Sequence, residues 1–177
     1  FWCQILNGSD PVEYFVMLHS DMEVPKFWVD TLVEELENNH LQSLSATVPI
    51  KNDLRVTSTG MLDLARKDDN IYRLSYEEVK KLPKTFTAKD VNAIGITGEL
   101  LINTGCWITK VGEWWQKFPG FKTDCCIRKN EEGKSVAVTF TEDWNFSVWC
   151  NANGIPIGAT RTIIANHFGS YGWSIAN

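Results

Sequence analysis

Apolar residues run unbroken through YFVML, residues 14–18, and stop against His19-Ser20-Asp21. So short an apolar run between polar flanks predicts a fully buried strand. Pro25 fits the first turn of a helix that reaches about Asn39, with Val29, Leu32, Val33 and Leu36 on one face. Residues 44–50 alternate well enough to make a second strand. Strand, helix and strand in close succession form a βαβ unit, which predicts a parallel sheet with a right-handed crossover.

The pattern weakens over residues 51–93. KNDLRVTSTGMLDLARKDDN is polar and irregular, and a connection this long in a compact domain is usually functional or partly mobile. SYEEVKKLP predicts a short helix with a capping box made by Ser75 and Glu78 and closed by Pro83. Residues 100–102 are a brief apolar run ending in Asn103-Thr104-Gly105. VGEWWQKF (111–118) reads as a short amphipathic helix and SVAVTF (135–140) as a strand. Residues 142–153 make a helix, with Thr141 as N-cap, Phe146, Trp149 and Cys150 inward, and Gly154 past its end. Residues 157–164 are a last strand, and NHFGSYGW reads as loop. There is no internal repeat and no low-complexity segment.

Length and composition narrow the classes. The 177 residues suit one domain, 1–177, with enough chain to bury a core. The net charge is -5 and no run of Lys or Arg could track a phosphate backbone, which argues against nucleic acid as a partner. No apolar run approaches the roughly 20 residues of a membrane-spanning helix. The five cysteines are an odd count with no C-x-x-C, and Cys125 and Cys126 are adjacent. That is a poor disulfide framework and a poor zinc site, so the expected compartment is reducing and cytoplasmic. The chain opens mid-pattern without Met, and a fragment trimmed at its amino end is expected.

Candidate chemistry gathers behind the strands. Ligands of open α/β sheets sit beyond the carboxyl ends of the strands. His19-Ser20-Asp21, Asn103-Thr104-Gly105, Glu142-Asp143 and His167 each follow a predicted strand. A carboxylate and a neutral imidazole, joined by phosphate oxygens and water, suit Mn²⁺ or Mg²⁺, and Asp21 and His167 could supply them. Asp143 lies in the first turn of its helix, where the dipole favours an ionised carboxylate fit to serve as a general base. Taken singly, each has an ordinary explanation: a cap, a dipole-satisfying pair, a packed histidine, a turn. The eight tryptophans can be core or a sugar-stacking surface, and core is the favoured reading.

The ordered set changes that balance. YFVMLHSDMEVP, LLINTGCW, TEDWNF and ATRTIIANHFG, in this order and spacing, resemble the GT-A glycosyltransferases, particularly the family 2-like group. The resemblance covers nearly the whole chain; each motif alone is weak. It implies an α/β, Rossmann-like fold with a mostly parallel mixed sheet flanked by helices. The first nucleotide-binding strand is expected to be lacking, since nothing before residue 14 looks like it. LHSD is similar to the family's D-x-D motif. Asp21 matches the metal-binding aspartate, His19 stands where the first aspartate usually is, and Ser20 lies between them at the donor. Glu142-Asp143 is similar to the x-E-D motif, which implies Asp143 as the base toward the acceptor hydroxyl, with Glu142 and Trp144 at the acceptor. His167 matches the histidine that completes the metal site. Gly98 and Asn103-Thr104-Gly105 look like the small-residue loop where donor sugar and acceptor approach the backbone. VPIKNDLRVTSTG resembles a donor-side loop, with Lys51 and Arg55 available for phosphate. The expected activity is metal-dependent transfer, with inversion, from a nucleotide-sugar donor to a glycan or other hydroxyl acceptor. A retaining GT-A enzyme, or a non-catalytic carbohydrate-binding module, is the alternative. A nucleotidyltransferase ranks lower, because no glycine-rich phosphate loop with a following lysine occurs.

Overall fold

The computed structural model of the chain describes residues 2–52, 54–63, 71–129, 132–169 and 172–174. In chain order come α1 (Trp2–Asn7), β1 (Tyr14–Leu18), β2 (Met22–Glu23), α2 (Trp28–Asn38), β3 (Ser43–Ala46), β4 (Val56–Leu62) and β5 (Ile71–Ser75). Next are α3 (Tyr76–Lys81), β6 (Thr85–Phe86), α4 (Ala88–Ala93), β7 (Glu99–Leu101), β8 (Cys106–Lys110) and a 3₁₀ turn (Glu113–Gln116). The hairpin strands β9 (Asp124–Lys129) and β10 (Ser135–Phe140) precede α5 (Glu142–Ala152), β11 (Ile157–Thr160), β12 (Asn166–Phe168) and β13 (Gly172–Ser174).

The central sheet has five strands in the order β1-β8-β3-β11-β6. It is mixed, and the expectation of a mostly parallel sheet is corrected. Only β3 and β11 pair in parallel, while β1–β8, β8–β3 and β11–β6 are antiparallel. β1 and β3 do run the same way, as strand, helix and strand require. The later strand β8 has inserted between them in the opposite direction, and a local pattern carries no trace of a strand that arrives sixty residues downstream.

β1 is also not the fully buried strand that YFVML suggests. It lies at the edge of the sheet, and its side chains are mostly half-buried. The Glu13 carbonyl and the His19 amide both bond to the β8 side. By the two-residue alternation of an antiparallel ladder, the backbone groups of Tyr14, Val16 and Leu18 face the other way. Among the described residues no strand pairs with that edge.

Side-chain alternation sorts the core into two layers. Tyr14 and Val16 of β1, Leu44 and Ala46 of β3, and Cys106 and Ile108 of β8 pack with Leu32 and Leu36 of α2. Phe15, Met17, Trp107, Ile157 and Ala159 face the other side and pack with Phe146 and Cys150 of α5. That second layer is aromatic. Trp2 stacks on Trp115 with ring centroids 3.5 Å apart, and Trp107 meets Phe146 edge to face at 5.2 Å. Of the two uses open to tryptophan, Trp107, Trp115 and Trp144 serve the core.

Several elements differ from the sequence expectation for identifiable reasons. α2 begins at Trp28 rather than Pro25, because Phe27 takes a left-handed conformation, φ 64°, just before it. The polar stretch after residue 51 contains β4, whose Thr57 and Thr59 are buried; the Thr57 hydroxyl donates to the Leu74 carbonyl at 2.9 Å. Residues 64–70 of that stretch lie outside the described residues. Residues 135–140 form a strand, but in a separate hairpin with β9. Residues 166–168, expected as loop, pair with β2, with His167 opposite Met22. The capping box of α3 is as expected: the Glu78 amide donates to the Ser75 hydroxyl at 3.3 Å, and the Ser75 amide to the Glu78 carboxylate at 2.8 Å.

Gly98 enters β7 with φ 133°, and a Cβ there would lie 2.4 Å from the Leu62 carbonyl oxygen. Backbone cannot yield as a flexible side-chain tip can. Gly98→Ala is expected to destabilise the fold by about 2–3 kcal/mol, read from the urea unfolding midpoint.

Candidate functional site

β1, β3 and β11 end at the same edge of the central sheet, and β8 begins there. Their loops are bonded crosswise. The His19 amide donates to the Gly105 carbonyl at 2.8 Å, and the Thr47 amide to the Thr160 carbonyl at 2.7 Å. Asn103 is 4% exposed. Its amide nitrogen donates to the Ala46 carbonyl at 2.9 Å, while its side-chain oxygen accepts the Gly105 amide at 3.0 Å. Asn103 thus clamps the end of β3 to the start of β8. The expected sugar-contacting loop 103–105 is a buried brace, with Thr104 as the member that lines a cleft.

Three predicted residues meet at this edge. Lys51 donates to the Oδ2 of Asp21. The Nε2 of His167 lies 3.5 Å from that same oxygen. The other ring nitrogen, Nδ1, is 2.8 Å from the Pro49 carbonyl. A carbonyl only accepts, so Nδ1 carries a hydrogen, and Nε2 is the ring nitrogen turned toward Asp21. The pairing of β12 with β2 holds this geometry, reinforced by the Phe168 amide donating to the Asp21 carbonyl at 2.8 Å. The hydrogen bond from Lys51 holds the Asp21 carboxyl below its ordinary range, against a desolvation that pushes the other way.

The donor set suits a hard divalent cation. A carboxylate oxygen and an imidazole nitrogen face each other at 3.5 Å. A carbonyl orients the imidazole from behind, as outer-shell partners orient metal-binding histidines. Among the described residues no third His, Cys, Asp or Glu joins them, so further ligands would come from substrate oxygens and water.

Beside this cluster opens a cleft of about 400 Å³ lined by Trp2, Phe15, Met17, His19, Thr104, Phe121 and Glu142. Glu142 and His19 are its charged and titratable rim, and its floor is aromatic. A second open groove follows β1 from Phe15 to Asp21, taking in Ser20.

Asp143 is held differently from what a helix dipole alone predicts. Its Oδ1 accepts from the Thr141 hydroxyl and, at 2.8 Å, from the Trp144 amide. Burial nevertheless pushes the carboxyl above its ordinary range, outweighing those two bonds and the nearby Arg73. Arg73, on β5, was not foreseen from the sequence. Its guanidinium lies 4.3 Å over the ring of Trp144, which is 5% exposed. Trp144 is therefore a packed residue capped by a cation, not an open platform. A single arginine in the strand IYRLS offers no signal of this role. Nor does Pro49, which acts only through its backbone.

Two predicted donor residues stand apart from the cluster. Arg55 points to α3, 3.8 Å from Glu77 and over the ring of Tyr76. Gly98 lies at the far end of β7 from Asn103, where close backbone packing accounts for it.

The two carboxylates respond oppositely to pH. Asp21 has a depressed folded value. Its ion pair contributes stability above the unfolded carboxylate value of about 3.9 and loses it as pH falls through the folded value. The gap in thermal midpoint between wild type and Asp21→Asn is therefore expected at neutral pH and should close as pH drops below about 4. Asp143 has a raised folded value, so its charge costs stability above that value. Asp143→Asn keeps an oxygen for Thr141 and Trp144 and removes the charge; its thermal midpoint at pH 7 is expected to exceed that of wild type. No family model matches the chain, and neither a curated protein nor a solved structure matches it.

Proposed function

We propose that this protein is a metal-dependent glycosyltransferase that moves a sugar from a nucleotide-sugar donor to a hydroxyl acceptor with inversion. One observation carries the reading. The histidine and the aspartate singled out by motif, 146 positions apart in sequence (167 − 21), face each other across a gap of 3.5 Å, with the other ring nitrogen held by the Pro49 carbonyl. The site lies beside a cleft with an aromatic floor and a carboxylate rim, a surface that suits the apolar face and the hydroxyls of a sugar ring.

A divalent ion such as Mn²⁺ or Mg²⁺, held by Asp21 and His167, would supply positive charge to a diphosphate leaving group. The chain's own residues do the rest. His19 and Ser20 flank the donor on the β1 turn, and Lys51 adds a cation from the loop after β3. Asp143 takes the acceptor's proton as its oxygen attacks the anomeric carbon. Its raised value brings the carboxyl nearer the operating pH, where a general base is most effective. Glu142, on the cleft rim, orients the acceptor hydroxyls. The five free cysteines, three of them exposed, fit a reducing compartment such as the cytoplasm. No helix among the described residues is long and apolar enough to cross a membrane.

Two measurements test the reading. Nucleoside diphosphates are expected to raise the thermal midpoint with Mn²⁺ but not with EDTA, and Asp21→Ala should abolish the shift; no shift with UDP, GDP or CDP counts against the donor site. Asp143→Asn should lower turnover by about 10²–10⁴-fold while leaving nucleotide binding intact. If Glu142→Gln has that effect and Asp143→Asn does not, the base is Glu142.

A further inference from the structure

Lys51 sits on the oxygen that the proposed ion would need. Its ammonium bonds to Oδ2 of Asp21, the oxygen that also faces Nε2 of His167. The two side chains are about one-third exposed, 32% for Lys51 and 40% for Asp21, so solvent and ions reach the contact. The backbone around Lys51 is tied down. The Pro49 carbonyl holds His167, Pro49 bridges Thr57 of β4, and the Ile50 amide donates to the Val56 carbonyl at 3.1 Å. The position of the loop is set, while the four-carbon side chain of Lys51 remains free to rotate.

We propose that Lys51 is a resident cation that occupies Asp21 when no metal is bound, and that divalent metal and diphosphate bind together because both require it to leave. This rests on the donor site proposed above. An ammonium and a divalent ion cannot share one carboxylate oxygen without strong repulsion at contact distance. Metal entry therefore breaks the Lys51–Asp21 bond and leaves an ammonium without a partner. A diphosphate beside Asp21 offers that ammonium new oxygens, so it favours the rotated side chain and, with it, the bound metal. Linkage makes the effect reciprocal: metal must strengthen diphosphate binding by the same factor. The same ammonium is then a counter-ion when no metal is bound and a phosphate ligand when it is.

The test is calorimetric titration of the whole chain with Mn²⁺ alone, with pyrophosphate alone, and with each in the presence of the other. Wild type, Lys51→Met, Lys51→Gln and Asp21→Ala are compared, and circular dichroism verifies that each is folded. The Lys51 variants are expected to bind Mn²⁺ alone at least about fivefold more tightly than wild type. In the same variants, the mutual enhancement between Mn²⁺ and pyrophosphate should shrink toward unity. Mn²⁺ binding that needs Asp21 but is equal or weaker in the Lys51 variants overturns the proposal and leaves the donor site standing. Absence of Mn²⁺ binding in every protein overturns both.

Discussion

Strands that stop at a common edge leave backbone amides and carbonyls that must find partners, and in this protein the partners cross from strand to strand. Asn103 joins β3 to β8, the His19 amide joins β1 to β8, and Thr47 joins β3 to β11. A buried amide or carbonyl left unpaired costs about 1–3 kcal/mol, so these bonds are obligatory rather than ornamental. Their consequence is geometric. Every loop that carries a candidate functional residue at this edge leaves its strand in a direction set by a neighbour's backbone. The site inherits its order from the same bonds that close the end of the sheet.

Much of this could be read from the chain, and the failures share a cause. Local signals held: the capping box of α3, the run of β1, α5 with Thr141 before it, and Gly154 with φ 66° past its end. Asp21, His167 and Lys51, named from the sequence for different roles, lie together in the fold. What could not be read were the pairings made at long range. β8 threads between β1 and β3, β12 pairs with β2, and the polar β4 is a strand because Thr57 and Thr59 are buried beside β5 and β7. Polar content lowers a strand's apparent propensity, while burial and neighbours decide its state. The site residues that escaped notice, Arg73 and the Pro49 carbonyl, act through placement alone.

The site and the core draw on the same residues in opposite senses. Thr141 and the Trp144 amide satisfy one oxygen of Asp143, yet burial still makes its charge unfavourable. Asp21, in its cluster with Lys51 and His167, is held ionised by the lysine. The two carboxylates are thus tuned apart, one toward protonation and one away from it.

Among the described residues no strand pairs with the outer edge of β1, and that edge borders the candidate site. YFVML contains no charge and no proline, the usual devices that keep an edge from recruiting another chain. Protection cannot easily be added. Phe15 and Met17 line the cleft beside the adjoining His19, Tyr14 and Val16 pack half-buried beneath α2, and only Leu18 of the five is exposed. A foreign strand seated there would extend the sheet to the doorstep of His19 and Asp21. It would become a wall of the groove that follows the strand. Colloidal behaviour at high concentration and access to the site are, in this molecule, two readings of one row of hydrogen-bonding groups.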